Sequence, residues 1–431
     1  MSKIWHQLKG SENRKKLFMR KTGTLSRRLG RYGFEAGQSL PAALIALAVG
    51  SLLLTPFLAF VSSRSLGTGT AQETFNELYA ADGGVEYGIW SLLNTPAFRS
   101  QVDLTAGTAQ PLAFPGSLNG FTPTLSVTGL PIGNWYLRQT APLTIESGGS
   151  LAYAGGDRIY ALRGNRTTNF GYYSISGDQW FSLASTPNIV DQGGSLVYGG
   201  GNFLYALQGN NLDGFWRYNI SNNTWQILAP ALERINQGGS LVYPGGNFIY
   251  AMGNKNIFWR YNISSNSWSS LANTPDIVAN GAALVFTGGN TIYAFEGNST
   301  AFWRYNIASD SWTVMQSTLG KVTKGSALAY FGGGYLYALQ GNSTGFLRYN
   351  IAMGNWIFLT ETPLAVGNGG SLVFTHSEGG YAFRGGNNTD FWEFEVTPPR
   401  YDISVQAGTV STDARIEIDG GTKTILFWDI D

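Results

Sequence analysis

Cysteine is absent from this 431-residue chain, and His6 and His376 are the only histidines. The absence of cysteine excludes disulfides, thiolate metal sites and a cysteine nucleophile. Charged residues make up only 13 % of the chain, and the formal net charge is +1. Because bulk charge then gives no attraction for phosphate, we expect no nucleic-acid partner. We also expect no metal and no cofactor.

Glycine and aromatic residues are the abundant classes, with 57 glycines and 14 % Phe, Trp and Tyr. Glycine supplies turn positions with positive φ, and aromatic side chains fill the faces of sheets. The composition therefore predicts a mainly β fold with many tight turns.

The N-terminal region combines a basic segment with a long apolar run. Residues 1–37 hold ten Lys and Arg against Glu12 and Glu35, and residues 36–63 carry no charge. About 20 apolar residues span a bilayer as a helix, and the preceding cations predict a cytoplasmic N-terminus with the remainder outside. The alternative is a cleaved secretory signal.

The junction between leader and apolar run reads "GFEAGQSLPAALIAL". It resembles the cleavage site of type IV prepilins, where a prepilin peptidase cuts after a glycine and before an apolar helix. The resemblance implies that Gly37 ends the leader and that Gln38 is the mature N-terminus. It implies membrane lipid, the peptidase and other pilin-like subunits as partners. Ala42 departs from the Glu of major pilins, a loss that minor pilins and pseudopilins tolerate better.

The stretch 71–93, "AQETFNELYAADGGVEYGIWSLL", has apolar residues near helical spacing. It resembles the helix of minor-pilin-like proteins, and an ordinary amphipathic stalk helix is the alternative. We predict one membrane and stalk helix over residues 38–95, roughly 80 Å long at 1.5 Å per residue.

A repeat follows. Units aligned on "GGSLVY" start at Gly148, Gly193, Gly238, Gly281, Gly325 and Gly369, with spacings of 45, 45, 43, 44 and 44 residues. Such a period indicates a solenoid or a propeller. Each unit carries four short β signals, which is the content of one propeller blade. The Gly-Gly, aromatic and Trp pattern resembles kelch repeats, which implies a kelch-like β-propeller.

The fourth-strand tryptophan shows how the array closes. The last unit lacks a fourth strand, whereas an additional Trp lies 45 residues before that of the first unit. The strand 133–140 is therefore predicted to complete the last blade and bury both free sheet edges. The six structural tryptophans are Trp135, Trp180, Trp225, Trp268, Trp312 and Trp356.

The domain prediction follows from this closure. We expect a six-bladed propeller at 133–397, inserted into a small pilin-like β domain formed by 96–132 and 398–431. The alternative is that the two flanks are unrelated linkers. We expect the blade tryptophans to pack the core, and Arg217, Arg260, Arg304 and Arg348 to brace blades or turns.

The loops before each first strand and after each second strand are predicted to share one face. Their residues differ among repeats over a repeated scaffold, as in a recognition site built from loops. The candidate binding rim consists of Gln192, Gln237, Asn280, Lys324, Asn368, Arg163, Gln208, Glu296, Gln340 and Arg384. The expected ligand is an extracellular glycan or protein.

Catalysis is not expected. The copper chemistry of some kelch-like oxidases needs Cys and His ligands that the chain lacks, and no nucleophile–base pair has usable spacing. We therefore predict a non-enzymatic, membrane-anchored pilin-like surface protein that uses its propeller for adhesion or protein binding. The alternatives are a single-span anchored propeller outside any pilus and an anchored hydrolase.

Overall fold

The computed structural model describes residues 70–375, 379–419 and 422–430. The predicted leader, its cleavage site at Gly37 and Gln38, and the apolar run at 36–63 lie outside these residues. Contacts divide the chain into Met1–Gln72 and Glu73–Asp431, and all strands below belong to the second unit. Across the described ranges, no helix is long and apolar enough to cross a membrane.

A five-stranded antiparallel sheet, here called the head sheet, joins the two flanks of the repeat region. Helix α1 covers residues 70–94 and is followed by α2 (Pro96–Leu104). In spatial order, the head-sheet strands are β1 (Gln110–Ala113), β2 (Thr124–Gly129), β27 (Arg400–Ala407), β28 (Val410–Asp419) and β29 (Thr422–Ile430). Strands from 96–132 and from 398–431 thus pair within one sheet.

Helix α1 packs closely on the head sheet. Its buried face, which includes Ala80 and Val85, belongs to one cluster with Ile403 and Val405 of β27. Gly88 removes a Cβ that would lie 2.9 Å from Ile403 Cγ2. A glycine within a helix lowers helix stability by about 1 kcal/mol relative to Ala. Gly88 offsets this loss because it allows the helix to approach the sheet closely.

The repeat region forms four-stranded antiparallel sheets, six in the part of the chain that the structure describes. This pattern confirms a mainly β, propeller-like fold. Their strands, from the first to the fourth of each repeat, are as follows: sheet 1, β4 (Ser150–Tyr153), β5 (Arg158–Leu162), β6 (Phe170–Ser174) and β7 (Gln179–Ser182); sheet 2, β8 (Ser195–Tyr198), β9 (Phe203–Leu207), β10 (Phe215–Asn219) and β11 (Thr224–Ile227); sheet 3, β12 (Ser240–Val242), β13 (Phe248–Met252), β14 (Phe258–Asn262) and β15 (Ser267–Ser270); sheet 4, β16 (Ala283–Phe286), β17 (Thr291–Phe295), β18 (Phe302–Asn306) and β19 (Ser311–Val314); sheet 5, β20 (Ala327–Gly332), β21 (Tyr335–Leu339), β22 (Phe346–Asn350) and β23 (Asn355–Phe358); sheet 6, β24 (Ser371–Phe374), β25 (Gly380–Phe383), β26 (Phe391–Glu395) and β3 (Asn134–Leu137).

Sheet 6 takes its fourth strand from the N-terminal side of the repeats. Strand β3 pairs antiparallel with β26, with Asn134 opposite Glu395 and Leu137 opposite Trp392. Arg138 Nε donates to Glu393 Oε2 at 2.6 Å, and the hydroxyl of Tyr381 donates to Glu393 Oε1 at 2.8 Å. Both oxygens of this buried carboxylate therefore have partners, which is the condition for burying a charge at low cost.

The fourth-strand indoles link neighbouring sheets. Each indole N–H donates to a main-chain carbonyl that follows the fourth strand of the preceding sheet. The bonds run from Trp135 to Thr360 O (3.0 Å), Trp180 to Gln139 O (2.9 Å), Trp225 to Ala184 O (2.9 Å), Trp268 to Ala229 O (3.1 Å), Trp312 to Ala272 O (3.0 Å) and Trp356 to Gln316 O (3.3 Å). Sheets 1 and 6 are linked in the same way as the others.

The turns between third and fourth strands carry a second link. In sheet 2, Asn223 has φ +52° and its Oδ1 accepts from the Tyr218 hydroxyl and the Ala184 N–H, both at 2.8 Å. Asp178, Asn266 and Asp310 make the same pair of bonds in sheets 1, 3 and 4. Asn and Asp are the residues that tolerate this left-handed conformation best after glycine.

Two sheets depart from that arrangement. Sheet 5 has Gly354 at the turn position, and the hydroxyl of Tyr349 is buried with no hydrogen-bond partner in the described chain. Sheet 6 has no such turn, because β26 and β3 are not consecutive, and it carries Phe394 where the other sheets have Tyr. Burial raises the pKa of Tyr218 to about 12, so the hydroxyls of these tyrosines remain donors at neutral pH.

We predict that Trp135→Phe and Trp225→Phe destabilise the full-length chain to a similar extent. Each change removes one indole hydrogen bond between sheets, worth about 1 kcal/mol, together with packing volume. The measurement is the midpoint of urea unfolding. A neutral Trp135→Phe beside a destabilising Trp225→Phe would contradict the equivalence of the β3 link and the internal links.

We predict that Gly354→Asn stabilises the chain by about 0.5–1.5 kcal/mol, because it gives the Tyr349 hydroxyl an acceptor. A Cβ at Gly354 meets nothing closer than that hydroxyl, at 3.7 Å. The matched control is Gly354→Ala, which has no acceptor and is strained at φ +70°. Urea unfolding of the three chains checks the order Asn, Gly, Ala; an Asn variant no more stable than Ala would refute it.

Candidate functional site

The six first strands surround a central cavity of about 490 Å³. Each first strand contacts the first strand of the next sheet, and β24 contacts β4. The serine of the Gly-Gly-Ser segment links several of these pairs. Ser150 Oγ accepts from Leu196 N at 3.0 Å, and Ser371 Oγ accepts from Leu151 N at 3.0 Å. The hydroxyl oxygens of these serines thus link adjacent first strands in the wall of the cavity.

Glycines set the width of one end of this cavity, here called the mouth. Gly148 has φ +81°, and a Cβ there would overlap the carbonyl oxygen of Asp191, which leads into the next sheet. Gly369 has φ +83°, and a Cβ there would overlap the carbonyl oxygen of Glu146. Any side chain at these positions would push apart the loops that meet at the mouth.

The mouth carries the first half of the predicted rim. These residues directly precede the first-strand segments, and Gln192, Asn280, Lys324 and Asn368 line the cavity. Gln192 Nε2 donates to Asn280 Oδ1 at 2.6 Å, although the two side chains enter from sheets 2 and 4. Asn368 Nδ2 donates to the hydroxyl of Ser147 at 2.5 Å. Amides thus bridge the mouth, and the exposed Lys324 adds one positive charge.

Four residues of the second half of the predicted rim are buried or bonded within loops. Gln208 and Gln340 are buried, at 4 % and 6 % exposure, which differs from our expectation of an exposed rim. Arg163 Nε donates to Thr144 O at 2.8 Å, and Arg384 pairs with Asp390 at 2.9 Å. Arg163 and Arg384 thus tie loops, Gln208 and Gln340 are buried, and none of the four lines the central cavity.

The remaining predicted rim residues are partly exposed. Gln237 precedes the first strand of sheet 3, and Glu296 follows the second strand of sheet 4. The predicted Arg braces lie elsewhere, on the third strands. Arg217 and Arg260 lie over the rings of Phe203 and Phe248, at 4.4 and 4.7 Å from the ring centres. These cation–π contacts stay within one sheet and do not approach the mouth.

Helix α2 contacts sheet 5 at the end of the strands away from the mouth. Asn355 Nδ2, at the start of β23, donates to Ser100 Oγ of α2 at 3.0 Å. Tyr335 and Asn350, which pair at that same end of β21 and β22, line a cavity of about 170 Å³ beside α2. The head sheet and its helices therefore leave the mouth uncovered.

A charged cluster lines this contact. The Tyr401 hydroxyl donates to Asp103 Oδ1 at 2.8 Å, and Arg99 Nε donates to the same hydroxyl at 3.1 Å. Burial raises the pKa of the Asp103 carboxyl, and the bond from Tyr401 partly opposes that rise. Arg348 of sheet 5 is buried nearby and lies over the ring of Tyr335 at 4.5 Å. Arg99 and Asp103 of α2 and Arg348 of sheet 5 thus line the same cavity between α2 and sheet 5.

Groups that bind metals are not assembled in the described ranges: no three His, Cys, Asp or Glu side chains lie close enough to hold an ion. The mouth is lined instead by amides, backbone and one ammonium group. Such a surface can donate to and accept from the hydroxyl, amide or carbonyl groups of a ligand.

No family model matches the chain, and no curated protein matches it. Solved structures match part of the chain. "Structure of YjhT" is 14 % identical with a TM-score of 0.48, and it covers 67 % of this chain and 99 % of its own. "Structure of U3-55K" is 12 % identical with a TM-score of 0.46, and it covers 61 % of this chain and 98 % of its own.

Proposed function

We propose that this chain is a membrane-anchored, type IV pilin-like surface protein that displays a six-bladed kelch-type propeller as a binding module. Sheets 1 to 6 are its blades. The pairing of β3 with β26, the contact between β24 and β4, and the Trp180–Gln139 link support a ring closed by strand exchange. The ligand is an extracellular glycan or protein.

The main observation that supports this proposal is the position of the mouth. Residues that differ between repeats surround the mouth, whereas α2 contacts the opposite ends of the strands. A propeller held in this way presents its variable polar surface away from α2. Loops of variable sequence on a rigid scaffold are the usual location of recognition sites.

The pilin-like assignment depends on the N-terminal sequence and on the packing of α1. The segment "GFEAGQSLPAALIAL" provides the prepilin-type junction. Helix α1 lies on a small antiparallel sheet, and Gly84 and Gly88 allow the close approach. The proposal places the N-terminus in the cytoplasm, the propeller outside the cell, and other pilin-like subunits beside α1.

We predict that the mature protein in host membranes begins at Gln38. The resemblance at Gly37 implies cleavage by a prepilin peptidase, and the measurement is mass spectrometry of the N-terminal peptide. Gly37→Ala in the same host is the control and is expected to retain the leader. An intact wild-type leader would refute the pilin-like assignment and leave a single-span anchored propeller; a start near residue 62 would indicate a secreted protein.

We predict that the propeller binds carbohydrate through the mouth. The full-length protein is tested on a panel of immobilised neutral and acidic oligosaccharides, alone and as Gln192→Ala/Lys324→Ala. Loss of the amide bridge and the cation is expected to weaken binding about tenfold or more. The control is Asn222→Ala/Ser309→Ala, in exposed turns at the opposite ends of the strands. Equal loss in both variants would refute the mouth as the site, and no binding would refute a glycan ligand.

A further inference from the structure

The second residue of each third strand faces the preceding sheet, and it is not the same in all repeats. Four sheets place a buried indole there, sheet 5 has Leu347, and sheet 1 has Gly171. The four indoles belong to Trp216, Trp259, Trp303 and Trp392, each 2–3 % exposed. Sheet 1 therefore lacks the largest side chain of the repeat, at its junction with sheet 6.

The preceding sheet compensates for the size of this residue. The last residue of its second strand is Leu162, Leu207, Met252 or Leu339 where the partner is Trp. It is Phe295 where the partner is Leu347, and Phe383 where the partner is Gly171. Both phenyl rings pack on the fourth-strand indole: Phe295 on Trp356 at 5.8 Å and Phe383 on Trp180 at 5.6 Å between ring centres.

Compensation is incomplete between sheets 1 and 6. Phe383 is larger than the leucine at the equivalent position of other sheets, but the added volume is only part of the volume of an indole. Gly171 contributes no side chain at all. A cavity of about 170 Å³ remains, here called the seam pocket. Its apolar lining includes Ala141, Ile145, Ala161, Trp180 and Phe383, and its polar lining consists of Arg163, Asn169, Ser182 and Ser185. The chain cannot fill it from Gly171, because a Cβ there would lie 2.5 Å from the carbonyl oxygen of Phe181.

The equivalent residues of the next junction show what fits this space. Between sheets 1 and 2, Trp216 belongs to one buried cluster with Leu162 and Val190. Their counterparts between sheets 6 and 1 are Phe383 and Ile145, which line the seam pocket. The protein itself thus places an indole in this environment in its other repeats.

The pocket opens beside apolar surface. Leu143 and Phe181, both lining residues, are each 43 % exposed. A cavity of about 150 Å³ has enough volume to hold benzene, so the seam pocket, at about 170 Å³, has room for one aromatic ring. Its aromatic lining from Trp180 and Phe383 favours a second ring in stacked or edge-on contact.

We propose that the seam pocket binds a planar aromatic ring, from phenyl to indole size. This site is separate from the mouth and does not depend on the proposed function. The ring comes from a small molecule or from an aromatic side chain of a partner, and the chemistry of the pocket is the same for both.

The test is ¹⁹F NMR of 5-fluoroindole titrated with the full-length protein. Saturable line broadening is expected with the wild-type chain. Ser182 on β7 is exposed and pairs with Gly171 on β6, so its side chain lies on the face of the sheet that lacks a side chain at Gly171. Ser182→Trp should therefore cover the pocket and weaken binding about tenfold or more.

The matched control is Ser270→Trp. Ser270 is also exposed and pairs with Trp259 of sheet 3, where the equivalent space is already filled. This variant should bind 5-fluoroindole as the wild type does, and both variants should keep the wild-type urea midpoint. Absence of saturable binding to the wild type, or equal binding by all three chains, would overturn the proposal.

A second titration identifies the source of the ring. N-acetyltryptophanamide is added to the complex of wild-type protein and 5-fluoroindole. Displacement supports an aromatic side chain of a partner as the natural occupant. Retention of 5-fluoroindole supports a free aromatic molecule, because the pocket then excludes a ring that carries a peptide backbone.

Discussion

The pairing of β3 with β26 determines how the repeat sheets and the head sheet are connected. A sheet array that curves on itself has an unpaired edge at each end, and unpaired edges invite non-native pairing. Strand β3 supplies the missing strand of sheet 6, so the chain enters and leaves the repeats at the same sheet. The two flanks then lie close enough for β2 to pair with β27. The head sheet is thus a consequence of how the repeats are completed.

The same exchange accounts for local departures from the repeat. Sheet 6 has no turn between its third and fourth strands, so a tyrosine there would lack the Asn or Asp acceptor that the turns of sheets 1 to 4 provide. The chain has Phe394 at this position, and Gly133 before β3 leaves room for its ring. Glu393 replaces the arginine or tyrosine of other third strands and receives bonds from Arg138 and Tyr381. The repeat sequence thus departs from its pattern in sheet 6, where no turn joins the third strand to the fourth.

The sequence alone predicted the β-rich, propeller-like fold, because a period near 44 residues and the Gly-Gly and Trp positions are local signals. It also predicted that "NWYLRQTAPL" would serve the last repeat, since counting tryptophans requires no coordinates. It did not predict that Gln208 and Gln340 are buried. The sequence of a loop does not show whether a polar side chain faces solvent or packs within the loop.

The size compensation between neighbouring sheets was also missed, for a physical reason. The paired positions, such as Phe383 and Gly171, lie far apart in sequence and become neighbours only when the sheets are arranged in order. A substitution of Gly for Trp within an aligned repeat was visible from the start. Its meaning depended on the volume of the residue opposite, which only the fold defines.

The order of synthesis determines when the strand exchange can take place. Strand β3 leaves the ribosome before any repeat, whereas β26 is made after every other repeat strand. Sheets 1 to 5 can each form from consecutive strands, but sheet 6 must wait for the whole array. The pairing of Asn134 with Glu395 spans more of the chain than any contact within the other five sheets, and long loops close slowly. Throughout that interval β3 has no partner strand, because the strand with which it pairs in sheet 6 has not yet been made.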